Sequence, residues 1–174
     1  MATSLKSFIP VLSRILGVSP EALYERQRVL VREELLESVP GHGPGSGVRA
    51  TPESVAMLLI GVLASPSLSE AGPAARLIAN ARPGYPKHKC PLTGATTFAG
   101  VLAKVLSDES ISKRVVKDLS ISPSGGLASI YFDDTISMSF AKTNESKVLF
   151  SASLRAETIH ELTKAASTLV EKPS

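Results

Sequence analysis

Apolar residues recur at helical spacing through most of the first half of the chain. This period predicts a first helix over 4–16 and a second over 20–36, separated by a break at Gly17. Two further helices are predicted over 52–64 and 70–81. The first half of the protein is therefore predicted to be mostly helical.

Local signals mark where these helices end and begin. Gly17 suits the left-handed position just past a helix end, Ser19 is a good N-cap, and Pro20 is favoured at the first helical position. Thr51 and Pro52 repeat the pair of cap and proline. These signals predict the start of the second and third helices.

The second half of the chain changes period. The segment 82–95 holds three prolines and two glycines and is predicted to be a loop or connection. A helix is predicted over 96–108, capped at Thr96 or Thr97. Alternating apolar and polar positions then predict an antiparallel meander. Its four strands are 112–122, 127–134, 135–142 and 147–154. An amphipathic helix over 156–170 is suited to covering one face of that sheet.

Composition indicates a folded protein of the cytoplasm. The chain is 43% hydrophobic and 20% charged, which is typical of globular proteins. The single cysteine, Cys90, cannot form an internal disulfide, and this fits a reducing compartment. The most apolar run, 55–64, is about half of the roughly 20 residues that span a bilayer. We therefore expect a cytoplasmic protein with no membrane partner.

The charge of the chain is mildly basic, with a formal net charge of +3. Segment 1–32 holds five Lys or Arg residues against two Glu residues, and the acidic stretch 33–37 cancels that excess. This distribution permits a polyanionic partner but confines its footprint to a local surface.

Glycines at alternate positions from 41 to 47 raise the possibility of a phosphate-binding loop. A P-loop needs a lysine and then a serine or threonine after its last glycine, whereas this chain has Val48 and Arg49. A dinucleotide-binding loop follows a strand inside a βαβ unit, whereas this segment follows a long helix. Neither phosphate-binding motif fits.

The sequence that precedes the glycines points elsewhere. "LSRILGVSPEALYER", residues 12–26, resembles a helix-turn-helix, with the aliphatic-Gly-aliphatic-Ser turn of that family at residues 16–19. The following sequence is similar to the winged variant of the family. On that resemblance "LLESV" (35–39) and "GVRAT" (47–51) are two strands, and "PGHGPGSG" (40–47) is the glycine-rich tip of the wing.

The resemblance implies that the second helix is a recognition helix in the major groove of DNA. Residues expected to contact DNA lie on its outer face and in the wing. They are Ser19, Arg26 and Arg28 as the strongest contacts, Glu21, Ala22 and Glu25 at base edges, Arg49 with His42 at phosphate or the minor groove, and Arg32. The alternative interpretation is a solvated helix face held by ion pairs three or four residues apart, which is preferred for Arg32.

Other chemically capable residues do not form a predicted active site. His88 and Cys90 share a loop, but two ligands without a second pair do not make a metal site. Asp133 and Asp134 fall at a hairpin turn, where aspartate bonds to local backbone. His160 is predicted to be a surface or interface residue of the last helix. We therefore expect no enzyme activity, no metal and no cofactor.

The predicted organisation is an α+β fold in three parts. Residues 1–65 form the winged helix-turn-helix with an apolar connecting helix, and 66–95 form a helix with a Pro/Gly-rich connection. Residues 96–174 form an α+β domain for dimerisation or sensing. Helix 54–64 is apolar almost all round, so the sequence leaves open whether it is core or a dimer interface.

The function that the resemblance implies is a sequence-specific transcriptional regulator that binds double-stranded DNA as a homodimer. Two alternatives stay open. The first is a phage DNA-packaging component, similar to the small subunit of a terminase, which would form a ring. The second is a winged helix that makes only protein contacts. The sequence specifies no operator and no small-molecule effector.

Overall fold

The structure, a computed structural model, describes residues 3–41, 46–84, 88–115, 117–133, 137–141 and 151–169. Within these ranges the chain forms seven α-helices and five strands. The helices are α1 (Leu5–Leu16), α2 (Pro20–Arg32), α3 (Pro52–Leu63), α4 (Leu68–Ala79), α5 (Phe98–Ser107), α6 (Glu109–Ser112) and α7 (Ala156–Ser167). The strands are β1 (Arg82–Pro83), β2 (Leu119–Ser122), β3 (Leu127–Tyr131), β4 (Ser137–Ala141) and β5 (Ala152–Leu154). This mixture of helices and antiparallel sheet confirms the α+β class.

The predicted helix caps are confirmed. Gly17 ends α1 in the left-handed conformation, with φ 67°. The hydroxyl of Ser19 accepts a hydrogen bond from the Ala22 N–H at 3.2 Å and so begins α2. At the start of α3, the Ser54 N–H donates to the Thr51 hydroxyl at 3.2 Å, and the Thr51 N–H donates to the Ser54 hydroxyl at 2.9 Å. This reciprocal pair is a capping box.

Helix α2 ends before the predicted residue 36, because a Schellman motif closes it. Glu34 has a positive φ of 57°. Its N–H donates to the Val31 carbonyl at 3.0 Å, and the Leu35 N–H donates to the Leu30 carbonyl at 2.8 Å. This end is not visible in the sequence, because the left-handed position holds Glu34 and not the usual glycine.

The sheet has five strands in the order β1-β4-β3-β2-β5, and every pairing is antiparallel. Strands β2, β3 and β4 form the predicted meander. In the predicted meander the fourth strand would pair with the third. Instead the outer edge of β4 is occupied by β1, which pairs Arg82 with Ala141. Strand β5 instead pairs with β2, and β2 to β5 therefore follow a Greek-key order.

Two other expectations require correction around the sheet. Residues 82–95 are not loop throughout, since β1 lies at their start. The strand predicted over 112–122 is shorter, because the Asp108 carboxylate accepts the N–H groups of Ser110 and Ile111 and begins the short helix α6. The turns that follow α6 continue to Val115, and the strand begins only at Leu119.

One cluster of buried side chains runs from α1 to α7. Helix α3 lies at its centre and packs against α2, α4 and α5. Leu58, Leu59 and Ile60 of this helix are at most 1% exposed, so α3 is core within a single chain. The core includes side chains from all three predicted parts of the chain, so it extends across the boundaries predicted after residues 65 and 95.

The closing helix α7 packs against α1, α5 and α6. The sheet is contacted by α5, where the Phe98 ring meets the Phe140 ring of β4 edge to face with centroids 5.0 Å apart. No helix in the described part of the chain is both long and apolar enough to cross a membrane.

Candidate nucleic-acid interface

Two arginines hold α2 in place by bonding to carbonyls at or just beyond the C-terminal ends of helices. The Arg26 guanidinium donates to the Gly61 carbonyl at 3.0 Å and to the Pro66 carbonyl at 3.2 Å. It therefore ties α2 to the C-terminal end of α3 and to the turn that follows it. The Arg76 guanidinium of α4 donates to the carbonyl of Glu33 at the end of α2. Cations at these positions also interact favourably with the negative end of a helix dipole.

Two glycines let α2 approach its neighbours closely. A Cβ placed on Gly61 of α3 would lie 2.9 Å from the Leu30 Cδ1. A Cβ placed on Gly72 of α4 would overlap the Cγ of Glu33. The backbones of α3 and α4 therefore contact α2 where a larger residue would force them apart.

The structure places Arg26 differently from the sequence-based expectation of a strong DNA contact. Its side chain is partly buried against α3, and this desolvation lowers the pKa of the guanidinium. Its hydrogen bonds to Gly61 and Pro66 engage both terminal nitrogens of the guanidinium inside the fold. Arg26 thus positions α2 within the fold.

The other charged residues of α2 lie on its outer face. Glu21, Ala22 and Arg28 are exposed, and the Arg28 guanidinium meets the Glu25 carboxylate at 3.0 Å. Arg32 is exposed on the same side. Ion pairs of this exposed kind contribute about 0–1 kcal/mol, so Arg28 can exchange Glu25 for another anion at little cost.

Ser19 and Arg32 have additional local partners. The Ser19 side chain is exposed at the start of α2, where its hydroxyl caps the helix. A hydroxyl that accepts this bond still has its own O–H to donate outward. The Arg32 Nε lies 3.9 Å from the Glu33 carboxylate, and the Arg32 side chain is 70% exposed. Its cation is therefore available at the surface.

The described residues on either side of the glycine-rich tip pair as a short hairpin. Val39 and Gly47 exchange two backbone hydrogen bonds, of 3.0 and 2.8 Å. The Leu5 N–H donates to the Val48 carbonyl at 2.7 Å, which joins the hairpin to the start of α1. The two predicted strands, 35–39 and 47–51, are thus reduced to isolated bridges. The expected contact His42 lies outside the described residues.

A groove of about 710 Å³ lies between α2, the start of α1 and this hairpin. We call it the basic groove. Its helical wall is formed by Lys6, Tyr24, Gln27, Arg28, Val31 and Arg32, and its other wall by residues 38–41 and 46–48. Among the lining residues that the structure describes, three are cations and none is a carboxylate. The groove therefore favours an anion.

Two groove residues were not among the expected contacts. The Lys6 ammonium lies over the Tyr24 ring, 5.1 Å from its centroid. Gln27 is only 7% exposed, and its Oε1 has no hydrogen-bond partner in the described part of the chain. The sequence does show a polar residue where the helix-turn-helix pattern is usually apolar, and that is the signal for Gln27. No comparable signal marks Lys6, whose place depends on how the N-terminus meets the hairpin.

Arg49 is not brought together with the cations of the basic groove. It is exposed and lines a separate cleft of about 500 Å³, which also contains Glu37 and Glu53. The two clefts share Val39 and Val48 in their walls, but Arg49 lines only the cleft that contains the two glutamates.

The remaining candidates have structural contacts. The Cys90 side chain is buried, and its Sγ accepts the Thr93 N–H at 3.4 Å. The His160 Nε2 lies 2.9 Å from the Ser112 carbonyl, joining α7 to α6. Asp133 forms an ion pair of 2.6 Å with Arg114, which raises the pKa of that arginine. Over the described ranges, no group of three or more His, Cys, Asp or Glu residues is arranged to hold a metal ion.

Comparison of the chain with protein-family models, with curated proteins and with solved structures finds no match.

Proposed function

We propose that the protein is a winged-helix DNA-binding protein that contacts double-stranded DNA with α2 and the 39–47 hairpin. The observation that carries the proposal is the basic groove, where cations from two helices face a hairpin and no described lining residue is acidic. Duplex DNA carries one negative charge per roughly 1.7 Å of its axis, so a cationic groove beside an exposed helix matches its surface.

The proposed contacts divide into two groups. Lys6, Arg28 and Arg32 line the groove and are proposed to contact phosphates. Glu21 and Ala22 are exposed in the first turn of α2, and we place them near base edges. Ser19, at the helix start, is proposed to donate its O–H to a phosphate. Arg26 is omitted because both terminal nitrogens of its guanidinium are bonded to carbonyls inside the fold.

We further propose that the protein acts in the cytoplasm as a homodimeric transcriptional regulator. A single helix-turn-helix buries little surface on DNA, and two copies on paired half-sites supply the area that specific binding requires. Helix α3 is buried inside one chain, so the dimer contact is proposed to lie elsewhere.

The first experiment is a titration of fluorescent random-sequence duplex DNA, followed by anisotropy at several salt concentrations. We expect binding that weakens steeply with salt, because counterions are released from the DNA. The double variant Arg28→Ala/Arg32→Ala should reduce the slope of log affinity against log salt by about 1.8. The matched control, Arg82→Ala/Arg155→Ala, removes two exposed arginines that do not line the groove and should leave the slope unchanged.

Absence of binding at low salt by the folded protein would refute the DNA proposal and favour a module for protein contacts. An equal loss of slope in both double variants would mean that binding follows total charge and not the groove. Light scattering tests the assembly: a dimer mass supports the regulator, whereas the mass of a large ring supports a packaging subunit.

A further inference from the structure

The Gln27 amide is the least explained polar group of the basic groove. The residue lines the groove and is 93% buried, and its Oε1 is shielded from solvent and has no partner in the described part of the chain. Buried polar atoms are nearly always hydrogen-bonded, so an unpaired buried oxygen requires an explanation, and a missing ligand is one. A side-chain amide has an acceptor and donors side by side, and it can pair with any group that presents the complementary edge.

The residues around Gln27 limit the kind of ligand that the basic groove can bind. Lys6, Arg28 and Arg32 supply positive charge along the same groove. Tyr24 adds an aromatic ring to the wall. The volume of about 710 Å³ falls within the range of roughly 300–1,000 Å³ that is usual for small-molecule sites. The groove thus has cations that can bind an anion and an aromatic ring that can contact a planar group. Its side-chain amide can pair with a hydrogen-bond donor and acceptor that lie side by side on a ligand.

We propose that the basic groove binds a single nucleotide unit, with its phosphate at Lys6, Arg28 and Arg32 and its base at Gln27, whose buried amide turns into the groove as the base binds. A nucleotide has all three features, because its base is planar and presents adjacent donors and acceptors. Inorganic phosphate would leave the amide unpaired. The nucleotide is either free or unpaired in a strand, because base pairing in a duplex occupies much of the base edge. The inference shares its groove with the proposed function but does not depend on duplex binding.

The test is calorimetric titration of the full chain with dAMP, dCMP, dGMP and dTMP, with deoxyribose 5-phosphate and inorganic phosphate as probes without a base. We expect at least one nucleotide to bind about tenfold or more tightly than deoxyribose 5-phosphate, the effect of two ordinary hydrogen bonds. Gln27→Leu should abolish this preference while phosphate binding persists. Lys6→Met should weaken all phosphate probes, whereas Lys164→Met, an exposed control on α7, should change none.

The melting temperature of Gln27→Leu separates binding from a structural role. Loss of an unpaired buried amide should leave it equal or higher, whereas a supporting role would lower it. If Gln27→Leu does not fold, Gln27→Met provides a second apolar side chain of similar length. A single-stranded oligonucleotide distinguishes the two sources: binding that depends on Gln27 only in the strand identifies an unpaired base, and binding of the monomer identifies a free nucleotide.

The proposal is overturned if no nucleotide or strand binds more tightly than deoxyribose 5-phosphate, or if both Gln27 variants fold and keep the preference. Neither result concerns duplex binding, which is tested by the arginine double variant and its salt slope. Conversely, nucleotide binding by a protein that ignores duplex DNA would support this inference and refute the proposed function.

Discussion

Replacement of Arg26 by alanine should destabilise the fold without removing a DNA contact. The guanidinium makes hydrogen bonds of 3.0 and 3.2 Å to two carbonyls, at Gly61 and Pro66. Bonds from a charged donor contribute about 1.5–3 kcal/mol each when buried. Arg26 is only partly buried, so we expect roughly 2–3 kcal/mol in total, including packing lost along its stem. For a chain of this size the melting temperature should fall by roughly 5–10 °C.

Arg28→Ala is the matched control on the same helix. Its side chain is 65% exposed and pairs only with Glu25 among the described residues, so its loss should cost about 0–1 kcal/mol. Urea unfolding followed by circular dichroism measures both variants. On DNA the order of the two effects should be reversed. Arg28→Ala should reduce the slope of log affinity against log salt, whereas Arg26→Ala should leave that slope unchanged. Equal stability of the two variants, or loss of DNA binding by a stable Arg26→Ala protein, would refute the assignment of Arg26 to the fold.

Three further substitutions test the geometry. Glu34→Gly should raise the free energy of unfolding by about 0.5–1 kcal/mol in urea titrations, because φ at this position is positive; a loss of stability would contradict the helix end described here. Gly72→Ala should lower it by about 1–3 kcal/mol, because the added Cβ overlaps the Glu33 side chain; an unchanged midpoint would argue against the close contact of α4 with α2. The Ser110 hydroxyl and N–H lower the pKa of Asp108. The stability that this carboxylate adds should therefore be complete above its unfolded pKa of about 3.9 and lost as pH falls through the lower folded value. Asp108→Asn should remove that pH dependence, and parallel stability curves of the two proteins would count against it.

The helical half of the fold was predictable because its signals are local. The capping residues at the starts of α2 and α3 act on N–H groups three positions away, and the sequence displays them directly. The end of α2 was not predictable, since Glu34 adopts a conformation that local sequence disfavours. The pairing of β1 with β4 was also hidden, because strand neighbours far apart in sequence leave no periodic mark.

The candidate site was predictable only in part for the same reason. The exposed face of α2 follows from its period, so the surface positions of Arg28 and Arg32 were correctly expected. Arg26 differs because its partners at Gly61 and Pro66 belong to another helix and its following turn. The position of Lys6 in the groove likewise depends on tertiary contacts that no short motif encodes.

The pairing of β1 with the edge of β4 has a consequence for how the chain folds. Strand β1 can pair with β4 only after the residues between them have been synthesised. In the same way, α1 can pack against α7 only after all the elements between them have been made. Closing such long loops has an entropic cost before the contacts form, which slows folding. On the ribosome α1 therefore emerges long before α7, and the apolar surface of α1 that α7 covers remains open to chaperones until α7 has been synthesised.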